Sequence, residues 1–269
     1  MQHDKVPSDN GIIRFSLDIW QETGLLKSQA HEAGRFYFSE RFAASEFNFF
    51  MPDFKTNHLT ARAVEDIKDF YAEKRCEPVI YCPDKMIVRL RGDVVNEIRT
   101  REVYMKGDAE NLLADSQCRT PGEKLVFERL DDFSDPRYLG VYNRVFLSPD
   151  SKSQYDEVYT VFIDLFGKAA KGGASFKPWV MMGSVDGEAV TAVTVVPQGR
   201  LAGIYNLATP PEWEKKGFAT AVLRQAYLAA RKEGVERFFL ITDTGSTKEK
   251  MYKRRGFASF ARYTGLTVK

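Results

Sequence analysis

The feature that most constrains this chain is a change of pattern within residues 204–223, from extended to helical. Residues 204–209 favour a buried strand, and the prolines at 210 and 211 exclude helix directly after it. Gly217 then allows a tight turn from which a helix can begin. A helix start carries backbone N–H groups without partners and about half a positive charge. This layout therefore suits a diphosphate group.

The predicted helix has one apolar face and a clear end. Gly234 supplies the stop, and residues 237–242 read as a second strand. Lys215 and Lys216 precede the helix and would add positive charge to its start; the alternative interpretation of two such lysines is a solvated turn. The apolar positions follow the spacing of one buried face: Ala219, Val222, Leu223, Ala226, Tyr227 and Ala230.

Length and charge narrow the class of protein. The 269 residues are 43% hydrophobic and 28% charged, which is ordinary for a folded chain of one large or two average domains. The 39 basic and 37 acidic side chains give a net charge of +2, so we expect neither nucleic acid nor an anionic membrane as a partner. No apolar run approaches a membrane span of about 20 residues, and the first residues do not resemble a signal peptide. These features predict a cytoplasmic protein.

Cysteine and histidine content gives no sign of a metal site. The three cysteines, at 76, 82 and 118, show no C-x-x-C spacing, so we expect free thiols rather than disulfides or structural zinc. The three histidines, at 3, 31 and 58, are not paired with carboxylates at helical spacing. A metalloenzyme or a histidine-based hydrolase is therefore disfavoured.

The chain is predicted to contain two domains, at 1–120 and 121–269, because residues 107–123 lose hydrophobic period and gain polar and turn residues. The first half is rich in aromatic residues up to residue 50, and continues with a helix at 60–75 and strands at 78–82 and 101–105. The second half has the predicted order β-α-α-β-β-β-α-β-α-β.

Two local signals support the order in the second half. Asp186-Gly187 lies between two apolar runs, at 179–185 and 189–196, and so predicts a β-hairpin. Ser246 stands three residues before Glu249, as in a capping box, and predicts a short helix there. Residues 262–268 are predicted to close the chain as an edge strand.

This order, together with two motifs, resembles the GNAT superfamily of acyl-CoA-dependent N-acyltransferases. The segment 214–219 (Glu-Lys-Lys-Gly-Phe-Ala) occupies the position of the family pattern [Arg/Gln]-x-x-Gly-x-[Gly/Ala], which cradles the CoA diphosphate. The segment 252–257 matches the pattern Tyr-x-x-x-Gly-Phe. The resemblance implies an α/β (α+β) fold with a central mixed, mostly antiparallel sheet flanked by helices, preceded by a second, degenerate GNAT-like α/β domain.

The resemblance also implies roles for named residues. The N–H of Leu207 would face the thioester carbonyl, Tyr205 and Asn206 would contact the acceptor, and Tyr252 would protonate the departing CoA thiolate. A free tyrosine, with a pKa near 10, is protonated at neutral pH and can donate. No metal is implied. The acyl-CoA-binding residues implied are Leu207, Ala208, Thr209, Lys215, Lys216, Gly217, Phe218, Ala219 and Thr220.

The residues depart from the family pattern at two positions. Glu214 places a negative charge where Arg or Gln is usual, and Gly245 stands where many members carry Asn. The sequence leaves the general base open among Asp243, Glu212 and a water held by Asn206 or Tyr205.

We expect an enzyme that moves an acetyl or other small acyl group from acyl-CoA to a small-molecule or protein amine. The alternatives are a catalytically idle acyl-CoA-binding or scaffolding protein, and a binder of another phosphorylated ligand. The acceptor, the acyl length, the role of the first domain and the oligomeric state stay open at this point.

Overall fold

The computed structural model describes residues 8–53, 59–86, 95–114, 124–147 and 156–268. In chain order its helices and strands are α1 (Asp9–Glu22), β1 (Lys27–His31), β2 (Gly34–Phe38), β3 (Phe49–Pro52), α2 (Ala61–Glu73), β4 (Val79–Pro83), β5 (Val95–Asp108), α3 (Ala109–Ala114), β6 (Leu125–Leu130), α4 (Pro136–Phe146), α5 (Asp156–Lys168), β7 (Trp179–Val185), β8 (Glu188–Gln198), β9 (Leu201–Ala208), α6 (Phe218–Lys232), β10 (Arg237–Asp243), α7 (Thr247–Lys253) and β11 (Ala258–Val268).

The chain forms two compact units, and each unit draws on separate parts of the sequence. Unit 1 consists of residues 1–16, 106–240 and 254–258, and unit 2 of residues 17–105, 241–253 and 259–269. The predicted domain boundary near residue 120 falls outside the described residues, so the division into 1–120 and 121–269 stays a prediction.

Unit 1 contains a sheet in the order β10-β9-β8-β7-β6. The pairs from β6 to β9 are antiparallel, whereas β9 and β10 are parallel. The predicted hairpin joins β7 to β8: Asp186 and Gly187 take φ angles of 48° and 87°, as a tight turn of this hand requires. The order of elements from β6 onward is the predicted one.

The core of unit 1 is built from the apolar faces of the sheet and its helices. Strands β7 and β8 are buried at nearly every residue, whereas α6 buries one face, which includes Val222, Ala226 and Ala230. The largest side chains with less than 2% exposure in this unit are Trp179, Tyr138, Tyr142, Phe166, Phe218, Phe238 and Phe239.

Unit 2 contains the strand order β1-β2-β3-β4-β11-β5. The pairs β1–β2, β2–β3 and β4–β11 are antiparallel, and β3–β4 is parallel. Helix α2, predicted at 60–75, is capped by Thr60, whose side chain accepts a hydrogen bond from the N–H of Ala63. The core of unit 2 includes Phe36, Phe50, Ile67, Tyr71, Ile80 and Leu266.

The prediction of an edge strand at 262–268 is wrong. Strand β11 lies between β4 and β5, and all residues from 263 to 268 are buried. Its two threonines, Thr264 and Thr267, are both buried, and the hydroxyl of Thr264 donates to a carboxylate oxygen of Asp84 at 2.7 Å. A buried threonine with a partner is compatible with an interior strand.

No helix among the described residues is both long and apolar enough to cross a membrane.

Candidate functional site

Strand β9 is irregular at the residues predicted to meet a ligand. Ala192 of β8 pairs with Ala208, but Thr194 pairs with Tyr205, so Asn206 and Leu207 together oppose one residue of β8. This two-against-one pairing is a β-bulge, and Asn206 within it takes a φ of 50°. Asparagine tolerates this left-handed region better than most residues. The bulge redirects the backbone groups of Asn206 and Leu207.

The other edge of β9 is only partly paired. Its parallel pairing with β10 covers residues 201–203 opposite 237–239. Strand β9 continues through Ala208, so residues 204–208 extend beyond that pairing. A strand edge that extends beyond its pairing can bind an extended ligand in the way another strand would. Residues 204–208 include Leu207 and Ala208, two of the acyl-CoA-binding residues that the resemblance implies.

Helix α6 begins a few residues further on, as the sequence predicts. Gly217 occupies the N-cap position with a φ of 90°, and no side chain accepts a hydrogen bond from the first turn there. Lys215 also has a positive φ, 62°. Backbone donors at the start of α6 are therefore free of a side-chain cap, and Phe218, Ala219 and Thr220 form the first turn. This geometry fits a diphosphate.

The charged side chains that precede α6 are exposed to solvent. Glu214, Lys215 and Lys216 are exposed, so the carboxylate of Glu214 is hydrated. The ammonium of Lys216 lies 4.3 Å from the centre of the Trp213 ring, in a cation–π contact. Trp213 in turn packs against Phe218, at a ring separation of 5.7 Å. The side chain of Phe218 is therefore part of the core, and only its backbone is suited to a ligand.

Arg255 brings a further positive charge to the start of α6. Its guanidinium donates to the hydroxyl of Thr220 through Nε at 3.0 Å and through a second nitrogen. Arg255 is the residue before Gly256 in the Tyr-x-x-x-Gly-Phe motif. The second motif thus contacts the first turn of α6, one residue after the first motif ends.

Buried threonines hold the end of β9. The hydroxyl of Thr191 donates to the carbonyl of Ala208 at 3.0 Å and lies 2.9 Å from the hydroxyl of Thr209. The carbonyl of Ala208 is therefore engaged within the protein. Thr191 and Thr194 were not predicted as site residues, although two threonines within the apolar run 189–196 were a usable signal.

Tyr252 lies in α7, within unit 2, and is 9% exposed. Glu249 anchors this short helix. Its carboxylate, 4% exposed, accepts from the N–H of Gly245 at 2.6 Å and pairs with Lys253 and Arg262 at 2.6 and 3.2 Å. The hydrogen bond from Lys253 and that from Gly245 lower the pKa of Glu249 to about 2. The N–H of Glu249 itself donates to the predicted cap, Ser246, at 3.1 Å.

The departure at Gly245 has a conformational explanation. Gly245 has a φ of 79°, a region that glycine and asparagine enter most readily. The two residue types found at this position thus share one backbone requirement.

The structure gives different surroundings to the candidate bases. Glu212 is exposed and forms an ion pair with Arg144 at 2.7 Å. Asp243 is exposed, in the part of β10 that belongs to unit 2. The side-chain nitrogen of Asn206 is buried and meets no hydrogen-bonding partner of good geometry among the described residues.

The fold and this site define an α/β protein in which a bulged strand leads into an uncapped helix start. Residues 138–257 match the family model described as Acetyltransferase (GNAT) family. This segment contains the β9 bulge, the start of α6 and both sequence motifs. The chain therefore carries a GNAT domain at these residues.

Solved structures of low sequence identity share the fold over most of the chain. A GCN5-related N-acetyltransferase from Kribbella flavida has a TM-score of 0.62 at 11% identity, covering 95% of this chain and 94% of that chain. A tandem GNAT protein from the clavulanic acid biosynthesis pathway has a TM-score of 0.59 at 11% identity, covering 87% and 77%. A functionally unknown conserved protein from Staphylococcus epidermidis has a TM-score of 0.64 at 13% identity, covering 92% and 96%. No curated protein matches the sequence.

Proposed function

We propose that this protein transfers an acetyl or another small acyl group from acyl-CoA to an amine. One observation carries the proposal: within unit 1, the bulged and half-paired end of β9 is followed by a helix whose start has no side-chain cap. The first feature suits the extended pantetheine arm, and the second suits the diphosphate of CoA. The GNAT match of residues 138–257 supports acyl transfer as the reaction.

In this mechanism the protein supplies position, hydrogen bonds and a proton. The N–H groups of Gly217 to Thr220 bind the diphosphate, and the N–H of Leu207 donates to the thioester carbonyl, where negative charge grows in the transition state. Tyr252 is assigned as the proton donor to the thiolate by its place in the family motif. The amine must lose a proton before attack, and Asp243, Glu212 or a water beside Asn206 remains the candidate for accepting it.

The N-terminal α/β region is proposed to be a degenerate GNAT-like unit, in a tandem arrangement like that of the clavulanic acid pathway protein. We propose that the protein is located in the cytoplasm. Its acceptor is proposed to be a small-molecule or protein amine.

A pair of glycine variants tests the acyl-CoA site. Gly217 and Gly234 bound the same helix and have φ angles of 90° and 91°, so alanine at either position imposes the same backbone strain, about 1–2 kcal/mol. A Cβ at Gly234 would meet no atom within 4 Å. We expect Gly217→Ala to abolish the rise in melting temperature on adding acetyl-CoA, and Gly234→Ala to keep it. An equal rise in melting temperature in both variants would contradict the assignment of the start of α6 as the CoA-binding site.

Turnover separates an enzyme from an idle binder. We expect thiol release from acetyl-CoA with at least one member of a panel of amines, and a decrease of about 100-fold in kcat for Tyr252→Phe, the typical effect of losing a general acid. Acetyl-CoA binding without any thiol release, unchanged by Tyr252→Phe, would favour the idle acyl-CoA-binding protein.

A further inference from the structure

The hydroxyl of Tyr138 lies beside the β9 bulge. Tyr138 belongs to α4 and is fully buried, and its oxygen is 3.2 Å from the hydroxyl of Thr194, which is also fully buried. Thr194 is the residue of β8 at which the pairing with β9 changes register. The side chain of Asn206, within the bulge, also adjoins this hydroxyl and acts to lower its pKa, against the larger upward effect of burial. The phenol thus contacts the β8 side of the irregular pairing directly and lies near the Asn206 side chain on the β9 side.

Tyr138 is well placed to act as a fixed support. It stands three residues after Asp135, whose side chain caps α4 by accepting from the N–H of Arg137 at 2.8 Å. Its ring packs against Phe133 and Tyr142 at centroid distances of 5.9 and 5.8 Å. A side chain held in this way has little rotamer freedom, so its oxygen is a stable reference point for the strand.

The bulge needs such a support. A bulge leaves the ladder locally disrupted, and Asn206 holds a left-handed φ that persists only where the surroundings stabilise it. Because the bulge disrupts the backbone hydrogen bonds between β8 and β9, side-chain contacts gain weight in fixing the residues beside it. Tyr138 supplies the contact on the α4 side.

We propose that Tyr138 is a positioning residue for acyl transfer: through Thr194 and Asn206, its hydroxyl holds the bulge in the shape that directs the Leu207 N–H toward the acyl carbonyl. This inference rests on the proposed function for its kinetic consequence. Its structural consequence can be measured on the protein without any ligand.

A matched pair of variants tests the structural consequence. Tyr138→Phe removes one oxygen at the bulge, whereas Tyr142→Phe removes one oxygen a turn further along α4, where the hydroxyl donates to the Tyr159 carbonyl at 3.0 Å. We expect amide hydrogen exchange in a peptide covering 204–208 to be about tenfold faster in Tyr138→Phe than in the wild type. Tyr142→Phe is expected to leave it unchanged.

The kinetic consequence is tested with the same pair. Because the bulge acts on the acyl carbonyl, Tyr138→Phe is expected to reduce kcat about tenfold while the KM for acetyl-CoA changes less than about twofold. It should also reduce the preference for binding acetyl-CoA over free CoA, since free CoA lacks the carbonyl. Tyr142→Phe should change neither quantity.

Thr194→Val is the second variant, in case Tyr138→Phe folds poorly, because it removes the same contact from the β8 side. Unchanged exchange at 204–208 in both Tyr138→Phe and Thr194→Val would overturn the proposal, as would a rise in KM with kcat intact. A wild-type protein that shows no thiol release with any amine contradicts the proposed function instead. In that case, exchange at 204–208 still decides whether Tyr138 holds the bulge.

Discussion

A left-handed backbone at single residues shapes the candidate site. Among the described residues, four other than glycine have a positive φ, and two of them, Asn206 and Lys215, lie in the site. Such conformations cost free energy unless the surroundings stabilise them, and they concentrate where a ligand is bound. In this chain the left-handed conformation of Asn206 changes the direction of the backbone at the end of β9, and that of Lys215 does so just before α6.

The contact of Arg255 with Thr220 suggests how the chain compensates for Glu214. The family pattern places Arg or Gln at that position, whereas here a guanidinium reaches the first turn of α6 from the second motif. We predict that Arg255→Ala weakens acetyl-CoA binding about tenfold, the effect of losing one charge-assisted hydrogen bond. Titration calorimetry with CoA and with dephospho-CoA measures it, and both ligands should lose equally, because the contact is at the diphosphate.

The neighbouring arginine is the control for that prediction. Arg254 is exposed and carries the same charge. Arg254→Ala is expected to change CoA affinity less than about twofold, as solvent-exposed charges usually do. An equal loss of CoA affinity in the two variants would mean that only net charge matters. If Arg255→Ala weakened the binding of CoA but not of dephospho-CoA, Arg255 would contact the 3′-phosphate and not the diphosphate.

At the scale of single residues, the sequence predicts positions that obey a strict backbone rule. Gly217 and the pair Asp186-Gly187 are of this kind, because few residues adopt their φ angles. Tyr138 and Arg255 could not be assigned in this way. Each acts through a partner 56 or 35 residues away, and no local pattern records such a contact.

Among the elements, α7 depends on one carboxylate. Glu249 is nearly buried and satisfies the N–H of Gly245 together with two cationic side chains. We predict that Glu249→Gln lowers the free energy of unfolding at pH 7 by about 1–3 kcal/mol, the effect of breaking charged hydrogen bonds. Urea denaturation checks this value. Glu65→Gln is the control, since Glu65 is exposed and forms an ion pair with Lys68 of the same helix, α2.

The pH dependence of this effect follows from the lowered pKa of Glu249. The folded protein holds the carboxylate down to a pKa of about 2, against an ordinary value of 4.5. The stabilisation is therefore complete above pH 4.5 and is lost as the pH falls toward 2. The difference between wild type and Glu249→Gln should shrink over that window. A constant difference would contradict the assignment.

Helices, strands and turns were predicted correctly where the sequence has a clear hydrophobic period or a turn motif. The prediction failed where it had to decide whether a strand is buried inside the sheet. The hairpin of β7 and β8, the start of α6 and the cap at Ser246 each follow from local chemistry. Whether β11 lies inside the sheet or at its edge depends on which strands flank it. The residues of β11 alone do not record this position, because the flanking strands β4 and β5 come from distant parts of the sequence.

At the scale of the whole molecule, the composition of the two units could not be read from the sequence. Unit 2 takes in residues 241–253 and 259–269 as well as 17–105, so its sheet is completed by the end of the chain. Composition changes mark linkers between consecutive segments. They carry no information on a strand that pairs with residues about 180 positions earlier, as β11 does with β4.

Unit 2 also contains a carboxyl group whose titration opposes that of Glu249. Burial raises the pKa of Glu102, and a hydrogen bond from the Tyr81 hydroxyl partly offsets the rise. A raised carboxyl pKa means that the folded protein binds the proton more tightly than the unfolded chain, so stability falls as the pH rises from 4.5 through the folded pKa. We predict that Glu102→Gln, which cannot ionise, removes this fall and is at least as stable as wild type at pH 8.

Urea denaturation at a series of pH values measures this effect, with hydrogen exchange of β4 to assign the transition to unit 2. Tyr81→Phe supplies the converse test. Without the phenol, the pKa of Glu102 rises further, so the loss of stability should extend to higher pH. If Glu102→Gln were less stable than wild type throughout, the charged carboxylate would be stabilising the fold, contrary to the direction in which burial shifts its pKa.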